Sequence, residues 1–228
     1  MIYKKIYCFW TGNNELSADR RRCLLSIFEN SGVEVKLITP HNIDDIITEP
    51  LHEAYEYLSL THKSDYLRAY CMYHHGGGYT DIKMCDHSWV EYFDALDDSG
   101  KYMIGYRELH PDHIATTDFN REYLRSNYSI LPGCGKFIFK KNTPVAKEWL
   151  DSVNDILDSK LESLKLNSGL YHPRAIYGGV HQLDGAFLDS KYPLEWNEIM
   201  GRVFHNTMIK YVDRIMLGLP YVNMNQYR

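Results

Sequence analysis

With 228 residues, 44% of them hydrophobic and 24% charged, the chain has the composition of an ordinary soluble globular protein and the length for one substantial core. A formal charge of −5 argues against a nucleic-acid binder, which needs a net basic surface to displace counterions. The five cysteines, Cys8, Cys23, Cys71, Cys85 and Cys134, form no CxxC pair and read as reduced thiols, which with the absence of a signal-peptide core or a bilayer-length apolar stretch predicts a cytoplasmic protein without a transmembrane anchor.

In chain order, Ile2–Trp10 reads as a strand and Thr11–Asn14 as a polar turn. Ser17 caps a helix to about Asn30 with Leu24, Leu25, Ile27 and Phe28 on its apolar side, Arg20–Arg22 on a solvated face, and Gly32 just past its end. Val33–Ile38 is a second strand, so the opening β-α-β predicts parallel pairing with a right-handed crossover. A short acidic helix from Asn42 is interrupted by Pro50, and Leu51–Leu58 continues helically. Thr61 is read as the cap of a four-turn helix that ends at Gly76–Gly78, followed by a short strand Tyr79–Ile82. Lys101–Tyr106 and Lys136–Lys140 are further strands, and Thr143 caps the longest helix, to about Lys165. No repeat or linker divides the chain, so residues 1–228 are read as a single α/β domain, a sandwich with its ligand beyond the carboxyl ends of the strands.

The segment from Thr61 to Lys83 carries the chemistry. Asp65 and Arg68 share one helix face at i, i+3, the glycines permit a tight reversal, and the following strand brings Asp81 toward them. Taken alone, Asp65 and Arg68 are better read as a surface ion pair. The whole string, Ser64, Asp65, Arg68, Met72, Gly76, Gly77, Tyr79 and Asp81 in order and spacing, resembles the signature of the sugar-binding DXD glycosyltransferases, which include family thirty-two, capsular polysaccharide transferases and the glucosylating clostridial toxins.

The resemblance implies a GT-A-type nucleotide-sugar-binding sandwich with a mixed, mainly parallel sheet. It also implies transfer of a hexose from a UDP- or GDP-sugar to a glycan or lipid-linked acceptor, as in polysaccharide biosynthesis, with retention of configuration. Asp65 and Arg68 would hold donor-sugar hydroxyls, and Asp81 would bond to the ribose or sugar and approach a divalent metal, Mn²⁺ or Mg²⁺. Trp10, Thr11 and Gly12 are similar to the family's early tryptophan element, where the indole stacks on the base; Ser64, Gly77, Gly78 and Tyr79 would complete the donor pocket.

The last acidic position of the motif is Lys83 here, and an ammonium repels a cation that a carboxylate would bind. Three readings stay open: Lys83 binds the diphosphate, Lys83 points elsewhere while Asp81 and another ligand hold the metal, or the site is impaired. Downstream, Glu195–Glu198, Gly201 and His205 with Lys210 beyond are similar to the late histidine and lysine that such enzymes place on metal and diphosphate. His205 is thus a candidate metal ligand and Lys210 a diphosphate contact, while Asp184, in a glycine-rich stretch, is a candidate on the acceptor side. The competing functions are a sugar-phosphate or nucleotidyl transferase and a non-catalytic nucleotide-sugar or carbohydrate binder.

Overall fold

The computed structural model describes residues 2–114, 120–169, 180–183, 186–189 and 191–222. The elements are β1 (Lys5–Phe9), α1 (Ala18–Asn30), β2 (Glu34–Ile38), α2 (Leu60–His74), β3 (Gly77–Thr80), α3 (Val90–Asp97), β4 (Met103–Arg107), α4 (Arg121–Ser126), β5 (Pro132–Phe139), α5 (Pro144–Leu166), β6 (Val180–Leu183), β7 (Ala186–Asp189), α6 (Val203–Met208) and β8 (Ile215–Leu217). A six-stranded sheet runs in the order β2-β1-β3-β5-β4-β8, and β6 and β7 pair as a separate antiparallel ribbon. Only β5 opposes its neighbours in the large sheet, so the expected mixed, mainly parallel α/β sheet is what forms.

Strand alternation divides the core into two layers. Tyr7, Phe9, Met103, Phe137 and Phe139 face one side, under Tyr66, Leu67 and Tyr70 of α2, Trp149 and Val153 of α5 and Phe204 of α6. Ile6, Cys8, Ile104 and Ile138 face the other, under Cys23 and Ile27 of α1 and Phe93 and Leu96 of α3. Both faces are therefore covered, which explains why the central strands read as nearly continuous apolar runs. Among the described residues no helix is long and apolar enough to cross a membrane.

Several boundaries differ from the sequence reading for identifiable reasons. The cap of α2 is Ser59, whose hydroxyl accepts from His62 N, so Thr61 lies inside the first turn. Ser17 does cap α1, but Leu25 and Phe28 are 57% and 48% exposed; the buried stripe is Cys23, Leu24, Ser26 and Ile27. Nor is Arg20 solvated, because Nη1 donates to the Ile82 carbonyl at 2.6 Å. The helix α3 and strand β8 lacked a strong periodic signal: β8 is three residues long and α3 eight.

The reversal between α2 and β3 rests on glycine conformation. Gly76 and Gly77 have φ of 66° and 88°, and a Cβ on Gly76 would lie 2.6 Å from Lys141 N. Gly76→Ala should therefore destabilise the fold by about 2 kcal/mol or more, a melting-temperature loss of about 4 °C or more, in thermal and urea denaturation. Gly100→Ala, where nothing lies within 4 Å, is the matched control and should change little.

Candidate functional site

The site forms where α2 and β3 converge at the carboxyl ends of the parallel strands. Asp81 follows the last residue of β3, and its backbone N–H donates to Gly135 O at 2.9 Å, which ties it to β5. Its carboxylate gathers three donors. Tyr79 Oη donates to Oδ1 at 2.7 Å, Arg68 Nη2 lies 3.3 Å from Oδ1, and Lys83 Nζ lies 3.1 Å from Oδ2. Arg68 also reaches Asp65 Oδ1 at 3.4 Å and donates from Nη1 to Cys134 O at 3.3 Å, with its guanidinium 4.5 Å from the centroid of the Tyr79 ring.

Burial sets the electrostatics. It pushes the Asp81 carboxyl up, but Arg68, Lys83 and the Tyr79 hydroxyl together outweigh it and hold the group below its usual range. For Asp65, 3% exposed, burial dominates over the attraction of Arg68 and the carboxyl is raised. Asp65, Asp81, Arg68 and Lys83 thus bring two formal charges of each sign together.

Asp65, Arg68 and Asp81 line a cleft of about 440 Å³, and Lys83 stands behind Asp81. Its other walls are Asp112, His113 and Ile114 after β4, Cys134 in β5, and Trp196, Asn197, Met200, Gly201 and His205 near the C-terminus. The segment bearing Trp196 is fastened to the start of α2: His62 Nε2 donates to the carbonyls of Glu195 and Trp196 at 3.1 and 3.3 Å, and Tyr192 Oη donates to His62 Nδ1 at 2.8 Å. Those bonds fix the Nε2–H tautomer, and burial lowers the His62 pKa.

The structure brings Asp65, Arg68, Asp81, Lys83 and His205 into one region and separates several other expected residues from it. Tyr79 is 3% exposed, stacked on Phe9 at 5.4 Å, and supports Asp81 and Arg68 from beneath instead of lining the cleft. Gly77 and Gly78 lie inside the sheet, where a Cβ would meet Lys5 O at 2.9 Å and the Trp89 ring at 3.1 Å respectively, so they serve packing. Lys210 sits on the surface, paired with Glu148 of α5 at 2.5 Å. Trp10, Thr11 and Gly12 do not line the cleft; Thr11 Oγ1 donates to Leu60 O at 2.5 Å and Trp10 Nε1 to Asn14 O at 2.6 Å. Ser64 is half-buried on α2, beside Asp65. Asp184 lies outside the described residues. Asp112, His113 and Cys134 went unassigned in the sequence, although a cluster of histidine and aspartate directly after a strand is a usable signal.

Residues 5–99 match the family described as glycosyltransferase sugar-binding region containing DXD motif. That match covers the segment that contains Asp65, Arg68, Asp81 and Lys83. No curated protein matches the chain. Among solved structures, one titled PaToxG Glycosyltransferase aligns with a TM-score of 0.47 at 16% identity, covering 72% of this chain; the chain spans 64% of that structure's length.

A divalent ion of the kind expected for DXD regions does not fit the residues present. Both oxygens of Asp81 are engaged by cationic or hydroxyl donors, with Lys83 Nζ 3.1 Å from Oδ2. With an acid at position 83 the cluster would hold three carboxylates against Arg68, a deficit of two positive charges suited to a dication; Lys83 removes that deficit. His205 is also ill-placed to ligate, since a ring nitrogen bonds to the Pro132 carbonyl and Nε2 lies 3.7 Å from Cys134 Sγ. Among the described residues no three His, Cys, Asp or Glu side chains form a metal-binding group.

Burial lowers the His205 pKa to about 4, with the Pro132 carbonyl opposing the shift. The unfolded ring titrates near 6.5, so the unfolded chain takes up the proton first as pH falls. The stability contribution of neutral His205 is complete above about pH 6.5 and is lost progressively toward pH 4, by on the order of 3 kcal/mol. Urea denaturation of wild type and His205→Gln should show the wild type losing stability relative to the variant between pH 7.5 and 4.5; a constant difference would contradict the assignment.

Proposed function

We propose that this chain is a GT-A-type glycosyltransferase moving a hexose from a UDP- or GDP-sugar to a hydroxyl of a glycan or lipid-linked acceptor, with retention. The observation that supports it most is the Asp65–Arg68–Asp81–Lys83 cluster, within the segment that matches the DXD family and with its first three members lining one cleft.

In this reading Asp65 and Arg68 face the donor sugar, where a carboxylate accepts from hydroxyls and a guanidinium donates to them. Cleavage of the anomeric C–O bond leaves its electron pair on the diphosphate, and the transition state is favoured by cations already in place. Lys83 is the cation assigned to that task. Asp81 holds it and Arg68 in position, and the Tyr79 hydroxyl fixes the rotamer of Asp81 in turn.

Thermal-shift screening against UDP-, GDP- and dTDP-sugars tests the donor class. A ligand at about a hundred times its Kd stabilises the folded state by about 2.7 kcal/mol, so a correct donor should raise the melting temperature by roughly 5–10 °C. Arg68→Ala and Asp65→Ala should then weaken the nucleotide sugar more than the free nucleotide by calorimetry. Equal losses would move these residues from the sugar to the phosphates or to a structural pair. Binding without turnover over a range of acceptors would favour the non-catalytic nucleotide-sugar binder instead.

The lysine at position 83 makes a separate prediction. Donor affinity of the wild type should change by less than about 3-fold between Mn²⁺ and EDTA, whereas Lys83→Asp should make binding depend on Mn²⁺ by about tenfold or more. If both proteins respond to the metal alike, Lys83 plays no part at the diphosphate.

A further inference from the structure

A second titratable pair borders the same cleft. Glu108 follows β4, and its backbone N–H donates to Leu131 O at 3.2 Å. It is 4% exposed, and among the described residues its carboxylate bonds to His113, with Oε2 3.2 Å from Nδ1. His113 ends the short helical turn Pro111–His113, which the His110 side chain caps by accepting from Asp112 N, and its side chain is 41% exposed along the cleft wall. Tyr221 adds a ring contact at 6.3 Å and places Oη 3.4 Å from the same Nδ1. With Nδ1 turned to Glu108, Nε2 is the ring nitrogen left to the cleft, and no described residue bonds to it.

An ionised carboxylate that orients an imidazole in this way sets its tautomer, with the proton on Nδ1 and a lone pair on Nε2. Burial pushes the Glu108 carboxyl up to about 7, so it accepts from Nδ1 as a carboxylate above that pH. The other titratable or charged groups around the pair are Tyr106 of β4, Cys134 of β5, Tyr221, His110, and Asp112, which is paired to Arg125 of α4.

Resting on the glycosyl transfer proposed above, we infer that His113 Nε2 receives the acceptor hydroxyl, with Glu108 as its positioning residue. In the step so assigned, the bond from the donor anomeric carbon to the diphosphate oxygen breaks and its electron pair leaves with the diphosphate. The acceptor oxygen bonds to the anomeric carbon on the face from which the diphosphate departs, which preserves configuration, and its proton passes to Nε2; the Glu108 carboxylate balances the imidazolium by facing the Nδ1 proton. Acid–base partners of this kind contribute roughly 10²- to 10⁴-fold to a rate.

The test pairs binding with transfer, using the nucleotide sugar that binds best in the thermal-shift panel and methyl glycosides as acceptors. His113→Ala should leave donor Kd within about 2-fold, lower transfer by about 10²-fold, and regain part of the lost rate when free imidazole is added. Glu108→Gln should also keep donor affinity and slow transfer, and nitrogen NMR of His113 should report a change from the Nδ1–H tautomer. Loss of donor affinity in parallel with transfer, or no rescue by imidazole together with an unchanged tautomer in Glu108→Gln, overturns the assignment and leaves glycosyl transfer standing. A wild type that binds nucleotide sugars but transfers to no acceptor overturns both readings.

Discussion

A partly buried carboxylate held by three donors organises this molecule. Arg68, Lys83 and the Tyr79 hydroxyl converge on Asp81 and keep it ionised at the cleft wall, and removing any of them leaves a partly desolvated charge short of a partner. Each donor comes from a different place: Arg68 from the middle of α2, Tyr79 from β3, Lys83 from just beyond Asp81. The glycine-led reversal after α2 is what lets helix and strand meet at the required distance, and the sheet pairing of β3 with β1 and β5 fixes the strand's depth. Arg68 is held equally firmly, between two carboxylates and over an aromatic face.

The charge balance of this cluster has a consequence for its ligands. Two carboxylates and two cations cancel, whereas the signature it resembles carries one acid more and one cation fewer. Under the donor reading proposed above, an anionic diphosphate meets an ammonium already paired with Asp81, at the end of a short, hydrogen-bonded segment in which Lys83 N donates to Asp81 O at 2.8 Å. The ammonium therefore occupies a fixed location before the ligand arrives, which is the condition under which a charge contributes most to stabilising a developing negative one.

The far wall of the cleft depends on a different device. His62, six residues before Arg68 on the same helix, is buried and bonds to the backbone of Glu195 and Trp196, so α2 positions both the charged cluster and the C-terminal rim. Trp196 remains 54% exposed on this fastened segment, an apolar surface kept open at the mouth of a polar cleft. The turn carrying His113 comes from a third part of the chain, after β4, and the pair Glu108–His113 adds an acid–base element independent of Asp81.

Much of this was legible in the sequence. Alternation and turn residues located β1, α1, β2, α2 and α5 to within a few residues, and parallel pairing followed from the β-α-β order. Helical periodicity and a glycine turn placed Asp65, Arg68 and Asp81 within reach of one another, and the resemblance of the whole string from Ser64 to Asp81 to a family signature is what singled them out. Local pattern did not decide which side chains reach the cleft. Tyr79 has the right motif position yet lies beneath the site, since strand alternation and packing against Phe9 and Phe137 turn it inward. Lys210 has a suitable charge but is drawn to Glu148, 62 residues away in the chain, and Lys83 was ambiguous until Asp81 was seen to hold it. His113 and Glu108 gain their relation only when β4 and the following turn fold back over the cleft. Residue type and spacing therefore determined the elements and the chemical class of the cluster; the pairing of distant charges and the direction of each side chain were decided by tertiary packing, which acts between residues that no local pattern connects.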